Sequence, residues 1–237
     1  MNRNISAMVF AAGLGTRLYP LTADKPKALV EYQGKPLIDY VLRKIIDSGI
    51  QHIVVNVHHF PDLIIQYLIE HPYNAEIEIS DERDYLRDTG GGLKFAAKHF
   101  TDSEHILLHN VDILSDIDLN QLIDKHLDNN CLATLAVRQR NTSRYFLFDE
   151  EMNLCGWRND KSGEEIHARA CTNNIPLAFS GIHIVQRELI DLIPTDEKQS
   201  ITPIYVELAK NHIIKGFPHN EGKWRDMGKI EDFTINN

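Results

Sequence analysis

Residues 10–27 read FAAGLGTRLYPLTADKPK, and this stretch decides the fold class that we expect for the chain. It follows directly on an apolar run and opens with a turn that contains Gly13 and Gly15. Glycines let backbone N–H groups approach phosphate oxygens closely, and cations nearby neutralise the phosphate charge. Arg17 and Lys27 supply two such cations within the same stretch. The stretch therefore predicts a polyphosphate-binding turn after a strand.

Two well-known phosphate-binding motifs do not fit this turn. A Walker A loop has four residues between its glycines, followed by Gly-Lys-Ser or Gly-Lys-Thr, which the stretch lacks. The dinucleotide-binding fingerprint needs a third glycine where this chain has Leu18. From Gly13 to Lys27 the sequence instead matches G-x-G-T-R-x-x-P-x-T-x-x-x-P-K at every specified position. This pattern resembles the signature of the sugar-1-phosphate nucleotidyltransferases.

The resemblance implies a reaction and a set of roles. A sugar 1-phosphate attacks the α-phosphorus of a nucleoside triphosphate, pyrophosphate leaves, and an NDP-sugar forms. Catalysis of this kind consists of positioning and of charge neutralisation, with Mg²⁺ as the metal. The resemblance implies that the catalytic residues are Arg17, at the leaving phosphates, and Lys27, at the reacting phosphate. The turn residues that it implies for nucleotide binding are Ala12, Gly13, Gly15 and Thr16.

Two aspartates are expected to bind magnesium. Asp112 ends an apolar strand, where a carboxylate is costly unless it is hydrated, paired or bound to a metal. The family has a Gly-Asp pair here, so Val111 is a departure that puts in doubt how closely a ligand approaches the backbone. Asp226 lies in the sequence WRDMG, which is similar to the W-x-D-x-G element that carries the second magnesium ligand. The alternative for Asp112 is a capping role at the following turn or helix.

A glycine-rich segment is expected to contact the base and the ribose. Residues 88–92 read DTGGG and are predicted to form a loop before a short helix. The family uses a glycine-rich loop here, which implies nucleotide contacts for Thr89, Gly90 and Gly91. Glu82 lies six positions before this segment, where relatives carry an acidic residue or a glutamine that reads the base edge. An ordinary flexible turn is the alternative for the glycines.

The sugar site is less completely marked in the sequence. Ser180 and Gly181 belong to a segment that resembles the strand whose small residues face the sugar. The alternative is a core strand with a bulge. Many relatives grip the sugar phosphate with a Glu-Lys pair, which we cannot place between Asn141 and Asn174. Arg158 and Lys161 are the possible substitutes in that region.

The alternation of segments predicts the architecture. Up to about residue 140, apolar strand-like segments alternate with segments of helical periodicity, which predicts an α/β fold with a mostly parallel sheet and helices on both faces. The resemblance implies a three-layer, Rossmann-like sheet of the nucleotide-diphospho-sugar transferase type. We expect one domain over residues 1–237, with a nucleotide-binding part at about residues 1–140 and a sugar-binding lobe at about residues 141–237.

The expected sheet also predicts where the ligands bind. In such sheets, ligands lie at the carboxyl ends of the strands. The glycine turn, Asn56, Asp81 and Asp112 each follow a predicted strand directly. They are therefore expected to line one crevice, although they are far apart in the sequence.

Composition limits the partners and the location. The net charge of -9 argues against a nucleic-acid partner, which would need a basic face. No apolar run approaches the roughly 20 residues that span a bilayer, and the N-terminus lacks the features of a signal peptide. Cys131, Cys155 and Cys171 have no C-x-x-C spacing and are expected to be free thiols in a reducing compartment. We therefore expect a cytoplasmic monomer or small homo-oligomer that acts on a nucleoside triphosphate and a sugar 1-phosphate.

Several substrate assignments stay open within the resemblance. The short length and the Thr-Gly-Gly-Gly segment look most like the N-acetylmuramate-1-phosphate uridylyltransferases of cell-wall recycling, which implies UTP. Mannose- or heptose-1-phosphate guanylyltransferases come next, because Glu82 or Asp88 could accept hydrogen bonds from guanine. A phosphocholine-type cytidylyltransferase is a third reading. A catalytically silent nucleotide-sugar sensor is the fourth, and it would be expected to lose one of the two cations or of the two aspartates.

Overall fold

The structure is a computed structural model that describes residues 4–171 and 173–234. Within these residues the strands are β1 (Ile5–Phe10), β2 (Glu31–Tyr32), β3 (Lys35–Pro36), β4 (His52–Val57), β5 (Glu76–Asp81), β6 (His105–Asn110), β7 (Ile113–Ser115), β8 (Ala133–Arg138), β9 (Arg144–Phe148), β10 (Leu154–Asn159), β11 (Glu164–His167), β12 (Ile175–Gln186), β13 (Ile214–Pro218) and β14 (Trp224–Asp226). The α-helices are α1 (Leu37–Asp47), α2 (Pro61–Glu70), α3 (Asp88–Phe95), α4 (Leu119–Asn129), α5 (Glu188–Leu192), α6 (Ile201–Leu208) and α7 (Glu231–Thr234). Short 3-10 helices lie at Thr16–Leu18, Lys27–Leu29 and Ala96–Phe100.

A mixed sheet forms the middle layer of the molecule. Its central strands have the order β5-β4-β1-β6-β12-β8-β13. The pairs β5-β4, β4-β1, β1-β6 and β8-β13 are parallel, whereas β12 is antiparallel to both β6 and β8. Most neighbouring pairs in this part are therefore parallel, and the predicted fold class is confirmed.

An antiparallel extension is added to the other end of β12. Ile175–Leu177 at the start of that strand pairs with β9, which pairs with β10, and β10 pairs with β11. Two short strands far apart in the chain, β7 and β14, form a separate antiparallel ribbon. The change of sequence pattern after about residue 140 thus corresponds to a change from parallel strands to antiparallel ones.

Both faces of the sheet are covered, as the strand sequences predict. In β1, Met8 and Phe10 belong to one apolar cluster, whereas Ala7 and Val9 belong to the other. Helices α1, α2 and α4 contribute to the second cluster, and α3, α5 and α6 contribute to the first. Burial of each large aliphatic side chain stabilises the fold by roughly 1.5–3 kcal/mol, so the two helix layers hold the sheet between them. Among residues 4–171 and 173–234, no helix has both the length and the apolar composition needed to cross a membrane.

The glycine triplet lies in a helix, and the predicted loop there is wrong. Helix α3 begins at Asp88 and includes Gly90–Gly92, all of which are buried. A Cβ atom at Gly90 would lie 3.0 Å from the backbone oxygen of Gln199, and one at Gly91 would collide with the backbone oxygen of Glu197. The absence of side chains therefore lets the helix approach the segment before α6, a partner that local sequence does not reveal.

The prediction of three free thiols is also wrong. Cys155 and Cys171 form a disulfide, and Cys131 is free and buried. Cys155 lies on β10, and the backbone N–H of Ala168, just after β11, donates to its carbonyl oxygen at 2.7 Å. The β10-β11 hairpin thus brings two cysteines together that lie 16 positions apart, a spacing that marks no motif.

Candidate active site

The glycine turn leaves the sheet at the carboxyl end of β1. Gly15 has a positive φ of 65° and precedes the 3-10 helix Thr16–Leu18. The hydroxyl of Thr22 donates to the carbonyl oxygen of Gly15 at 3.0 Å, and a Cβ at Gly15 would lie only 2.9 Å from the Thr22 methyl group. The glycine and the threonine of the sequence pattern therefore close this turn on itself, because only glycine has both the conformation and the size.

Asn56 holds the start of the turn. It lies near the end of β4, in register with Phe10 on β1. Its side-chain oxygen accepts hydrogen bonds from the backbone N–H groups of Ala11 and Ala12, at 2.7 and 3.3 Å. Because Asn56 is itself buried, these bonds tie the turn to the neighbouring strand.

A cleft of about 390 Å³ lies beside this turn, and we call it the turn cleft. The sequence-predicted residues that line it are Ala12, Gly13, Gly15, Thr16, Arg17, Lys27, Asn56, Asp88, Thr89 and Asp112. The predicted crevice at the carboxyl ends of the strands is therefore present. Asp81 was also expected there, but it is not part of the lining and forms an ion pair with Arg83. Leu86, Asn110 and Lys198 also line the turn cleft, and the sequence reasoning missed them.

The two aspartates predicted to bind metal lie side by side. The β7-β14 ribbon pairs Asp226 with Ile113, the residue after Asp112. The backbone N–H of Met227 donates to the carbonyl oxygen of Asp112 at 2.8 Å, which fixes the register. Lys27 Nζ donates to Asp112 Oδ2 at 2.6 Å, so one of the two predicted catalytic cations already contacts this pair.

The charge balance at Asp226 suits a divalent cation. Burial raises the pKa of the Asp226 carboxyl, the nearby Asp112 raises it further, and Arg17 and Lys27 oppose both effects. Two carboxylates in a partly buried place repel each other, and carboxylate oxygens are the ligands that Mg²⁺ prefers. The residues present therefore fit the metal that the sequence pattern implies.

The structure explains why the last position of the WRDMG segment, Gly228, is a glycine. A Cβ there would lie 2.6 Å from Arg17 Nη2 and 2.7 Å from Asp226 Oδ1. The backbone N–H of Gly228 also donates to Asp226 Oδ1 at 2.9 Å. Glycine therefore leaves room at this position for both the guanidinium of Arg17 and the carboxylate of Asp226.

A larger cavity of about 1090 Å³ lies on the other side of Arg17 and Asp226, and we call it the lobe cavity. Besides Arg17, its cations are Arg140, Arg144 and Lys229, and its aromatic side chains are Phe146, Trp157 and Phe179. Polar side chains from the segment after β8, from β10 and β11, and from α6 complete the wall. Arg17 lines both spaces, so the turn cleft and the lobe cavity meet at the paired aspartates.

Arg140 is held in place at this junction. Its guanidinium lies 4.5 Å from the ring centre of Trp224, and Nη2 donates to the carbonyl oxygen of Phe179 at 3.1 Å. Burial lowers the pKa of Arg140, and the charge of Asp226 opposes that effect. The arginine stays protonated because its ordinary pKa is far above neutral, so it is a fixed positive charge in the cavity wall.

The nucleotidyl transferase family model matches residues 6–152, more than half of the chain. The chain belongs to the nucleotidyl transferase family. This nucleotidyltransferase is 33% identical to N-acetylmuramate alpha-1-phosphate uridylyltransferase of Caulobacter vibrioides, over 94% of this chain and 91% of that relative. It is 29% identical to a putative mannose-1-phosphate guanyltransferase of Sulfolobus acidocaldarius, over 97% of this chain but only 61% of the relative's length.

Solved structures share the fold of the nucleotidyltransferase. HddC from Yersinia pseudotuberculosis, complexed with GMP-PN, has a TM-score of 0.77 at 24% identity, with 97% of this chain and 96% of that chain covered. A putative glucose-1-phosphate thymidylyltransferase from Bacillus anthracis has a TM-score of 0.80 at 14% identity, with coverage of 97% and 92%. At these identities the likeness extends to the fold alone.

The structure places two predicted base contacts of the nucleotidyltransferase outside the turn cleft. Gly90 and Gly91 pack against the segment before α6, where their N–H groups donate to the carbonyl oxygen of Gln199 at 2.9 and 3.2 Å. Thr89, by contrast, lines the turn cleft and also accepts from the N–H of Ile201 at 3.0 Å. The packing of Gly90 and Gly91 against the segment before α6 thus fixes the position of Thr89 in the wall of the turn cleft.

Glu82 is likewise buried away from the turn cleft. It is 0% exposed, and burial raises the pKa of its carboxyl. Its two oxygens accept from Asn56 Nδ2 at 2.7 Å and from the N–H of Arg87 at 3.2 Å. Glu82 is therefore not part of the lining of the turn cleft, and in this structure it has no exposed oxygen with which to read a base edge.

The predicted sugar contacts form a bulge in β12. Ser180 Oγ is hydrogen-bonded to His219 Nε2 at 2.7 Å, and its carbonyl oxygen accepts from Trp224 Nε1 at 3.0 Å. Gly181 has a φ of 74°, and a Cβ there would lie 2.9 Å from Asn110 Nδ2. The structure thus has the bulge that was the alternative reading, and Phe179 lines the lobe cavity instead.

The suggested substitutes for the Glu-Lys pair also lie elsewhere. Arg158 pairs with Asp160 at 2.9 Å, and Lys161 is exposed in the turn after β10. The cations of the lobe cavity include Arg140 and Arg144, just after β8 and at the start of β9. The rule that functional side chains follow strand ends would have found Arg140, as it found Asp112.

Proposed function

We propose that this nucleotidyltransferase joins a nucleoside triphosphate to a sugar 1-phosphate, with UTP and N-acetylmuramate 1-phosphate as the favoured pair. The observation that carries the proposal is that the turn cleft and the lobe cavity meet at Arg17, with Asp112 in the lining of the first and Asp226 in the lining of the second. One space has the phosphate-binding turn and the other has fixed cations for an anionic acceptor. A group can pass from one substrate to the other only where two such sites adjoin.

On the nucleotide side, the triphosphate would lie over the glycine turn. The first amides of the 3-10 helix at Thr16 have no partner within that helix and can bind phosphate oxygens. Arg17 and Lys27 would neutralise the negative charge that the phosphates carry. Asp112 and Asp226 would hold magnesium, which when bound supplies further positive charge for the phosphates.

On the acceptor side, an oxygen of the sugar phosphate would attack the α-phosphorus. The bond from that phosphorus to the bridging oxygen breaks, and pyrophosphate leaves with the electron pair. Arg140 would orient the acceptor phosphate, because it is a fixed charge that faces the junction with Asp226. No protein nucleophile is needed in this scheme, so the contribution of the residues is orientation and charge neutralisation.

The lobe cavity supports an acceptor with more than one anionic group. Four cations, Arg17, Arg140, Arg144 and Lys229, line the cavity beside two carboxylates, Glu164 and Asp226, so the lining keeps an excess of positive charge for an anionic acceptor. N-acetylmuramate 1-phosphate carries a carboxylate in addition to its phosphate. Trp157 and Phe146 offer apolar faces for the sugar ring. The similarity to the Caulobacter vibrioides uridylyltransferase supports the same acceptor.

A mannose-1-phosphate guanylyltransferase is the second candidate. Relatives with that printed name are 28–30% identical, which favours it over the cytidylyltransferase and over the silent sensor. Guanine would have to be recognised by Asp88 or by backbone groups of the turn cleft, since the oxygens of Glu82 are occupied. A heptose 1-phosphate would serve the same nucleotide chemistry.

Pyrophosphate release tests the proposal directly. UTP, GTP, CTP and dTTP would each be paired with a panel of sugar 1-phosphates and with phosphocholine, with and without magnesium. We expect the highest kcat/KM for UTP with N-acetylmuramate 1-phosphate, and no turnover without the metal. A preference for GTP with mannose 1-phosphate would replace the favoured pair by the second candidate. Absence of turnover with every pair would contradict the transferase assignment.

A further inference from the structure

A buried hydrogen-bonded pair, Asn56 and Glu82, lies behind the glycine turn. The amide oxygen of Asn56 accepts from the N–H groups of Ala11 and Ala12, at 2.7 and 3.3 Å. The amide nitrogen of the same side chain donates to Glu82 Oε1 at 2.7 Å. Since the backbone groups can only donate and the carboxylate can only accept, the two partners require opposite ends of the amide. Glu82 therefore selects the orientation in which Asn56 can hold the turn.

The protein fixes Glu82 in this position from several sides. Its N–H donates to the carbonyl oxygen of Val57 at 2.8 Å, and its carbonyl oxygen is hydrogen-bonded to His58 Nδ1 at 2.7 Å. The second carboxylate oxygen accepts from the N–H of Arg87 at 3.2 Å. An unpaired polar group in so buried a place would be costly, so the full set of partners is what keeps the carboxylate there.

The third glycine of the triplet makes room for the pair. A Cβ at Gly92 would lie 2.8 Å from Glu82 Oε1 and 3.1 Å from Asn56 Nδ2. This position is therefore small because of the hydrogen bond behind it, and no contact with a nucleotide is needed to explain it. Helix α3, which carries Gly92, also carries Thr89 in the wall of the turn cleft.

We propose that Glu82 is a positioning residue of the nucleotide site, which acts through Asn56 on the glycine turn and through Arg87 on the segment that leads into α3. This inference rests on the proposed function insofar as the turn cleft binds a nucleotide. Glu82 links two walls of the cleft, since Leu86 and Asp88 on either side of Arg87 line it as well. The carboxylate sets the backbone that faces the nucleotide and does not touch the nucleotide.

A reciprocal exchange of amide and carboxylate tests this role. Asn56→Asp places two carboxylates opposite each other, and neither can donate a hydrogen bond. Glu82→Gln replaces a carboxylate, which only accepts hydrogen bonds, by an amide whose NH₂ group only donates, so one of its two hydrogen-bond partners meets a donor. The double variant Asn56→Asp/Glu82→Gln restores every hydrogen bond: only the bond between positions 56 and 82 reverses its direction, and the N–H groups of Ala11, Ala12 and Arg87 still donate to an oxygen. In that variant the amide introduced at position 82 donates to the carboxylate introduced at position 56, and its oxygen still accepts from the N–H of Arg87. The exchange also keeps the net charge of the pair.

The measurements are the Kd of UTP and of GTP by calorimetry, the KM of each substrate, kcat and Tm. We expect each single variant to raise the Kd and the KM of the nucleotide about tenfold, as one mispaired buried hydrogen bond would, with the acceptor KM within about twofold of wild type. The double variant should return the nucleotide Kd to within about threefold of wild type. Glu78→Gln, on the strand just before Glu82, is the matched control, because Glu78 pairs with His52 and His99 outside the turn cleft.

Three outcomes would overturn the inference. The first is a single variant with a lowered Tm but an unchanged nucleotide Kd, which is the behaviour expected of Glu78→Gln and of a purely structural residue. The second is a folded double variant that recovers no nucleotide affinity. The third is a wild-type protein that binds neither UTP nor GTP. A wild-type protein that binds a nucleotide but transfers it to no acceptor would contradict the proposed function alone, and the recovery of nucleotide affinity would still support Glu82.

Discussion

The turn cleft and the lobe cavity differ in the way the chain builds them. The turn cleft, of about 390 Å³, lies at the carboxyl ends of parallel strands, and half of its lining residues come from one stretch of sequence, residues 10–27. The lobe cavity, of about 1090 Å³, is bounded by side chains from antiparallel strands, from α6 and from the residues after β14. A phosphate group looks the same on every nucleotide, so a local backbone motif can bind it. An acceptor has its own shape, so separate segments must supply its site.

The two regions also carry different information: the turn cleft indicates the type of reaction, and the lobe cavity is expected to select the acceptor. Residues of the turn cleft were found from the sequence pattern, and they indicate transfer of a nucleotidyl group. Apart from Arg17 and Asp226, the side chains of the lobe cavity match no pattern in the sequence, and we expect them to decide which acceptor fits. Changes at the junction should therefore affect both substrates, whereas changes in one region should affect one substrate only.

The largest effect is expected at the junction itself. Asp112→Asn and Asp226→Asn should each lower kcat by about a thousandfold or more, because each removes a charged ligand for the metal while it keeps the side-chain shape. Steady-state pyrophosphate release measures the loss, and Tm should stay near that of wild type. Asp128→Asn, at an exposed position of α4, is the control. Activity within a few-fold of wild type would remove that aspartate from the metal site.

Gly228→Ala should disturb the junction through Arg17. The added Cβ would displace either the guanidinium of Arg17 or the carboxylate of Asp226, both within 2.7 Å of its position. We expect kcat/KM to fall about 10- to 100-fold for both substrates, as a misplaced catalytic group would cause. Gly34→Ala is the control, since its φ of 78° makes the change strained but no atom lies within 4 Å. Equal effects of the two variants on kcat/KM would refute the role of Gly228.

Arg140→Gln should separate the two regions. Loss of this charge in the lobe cavity should raise the acceptor KM about 10- to 30-fold, the size of one charge-assisted hydrogen bond of roughly 1.5–2 kcal/mol. The nucleotide KM should change less than about twofold. Arg138→Gln is the matched control, because Arg138 also approaches the ring of Trp224, at 6.0 Å, but donates to the carbonyl oxygen of Asn220. A larger change in the nucleotide KM than in the acceptor KM would contradict the assignment of the cavity.

The smallest predicted effect is on stability, and it comes from two buried histidines in the central strands β6 and β12. Burial lowers the pKa of His109 on β6 to about 4 and that of His183 on β12 to about 3. Unfolding releases each histidine to an ordinary pKa of about 6.5, so the unfolded chain binds more protons between these values. Stability should therefore fall as the pH drops below about 6.5, by roughly 1.4 kcal/mol per histidine at pH 5.5.

Denaturant unfolding at pH 7.5 and 5.5 measures this slope. His183→Gln should make the loss between the two pH values smaller, although it lowers stability at pH 7.5 by removing the hydrogen bond to Tyr205. A pH slope that is the same with and without His183 would show that this histidine does not stay neutral in the fold.

The parallel half of the sheet, the glycine turn and the four charged residues of the junction could all be predicted from the sequence. Those features are local or periodic. Gly15 is needed for a positive φ in its own turn, and Arg17 lies two positions later. Asp112 was found because it follows a buried strand, and the carboxyl ends of parallel strands meet at one edge of a sheet. Its neighbour Asp226 was found because the WRDMG segment resembles a known one.

The contacts of the remaining motif residues could not be predicted from the sequence, because they depend on how the chain folds. Glu82 and Asn56 are 26 positions apart in the sequence, yet their side chains form a buried hydrogen bond. Glu82 was expected to contact the base, and the structure places it behind the glycine turn instead. Gly91 is small because of the carbonyl oxygen of Glu197, more than a hundred positions later. A side chain's role depends on the partners it meets, and packing brings those partners from distant parts of the chain. The acceptor side of the site follows the same rule, since Arg140 and Asp226 become neighbours only when the sheet is complete.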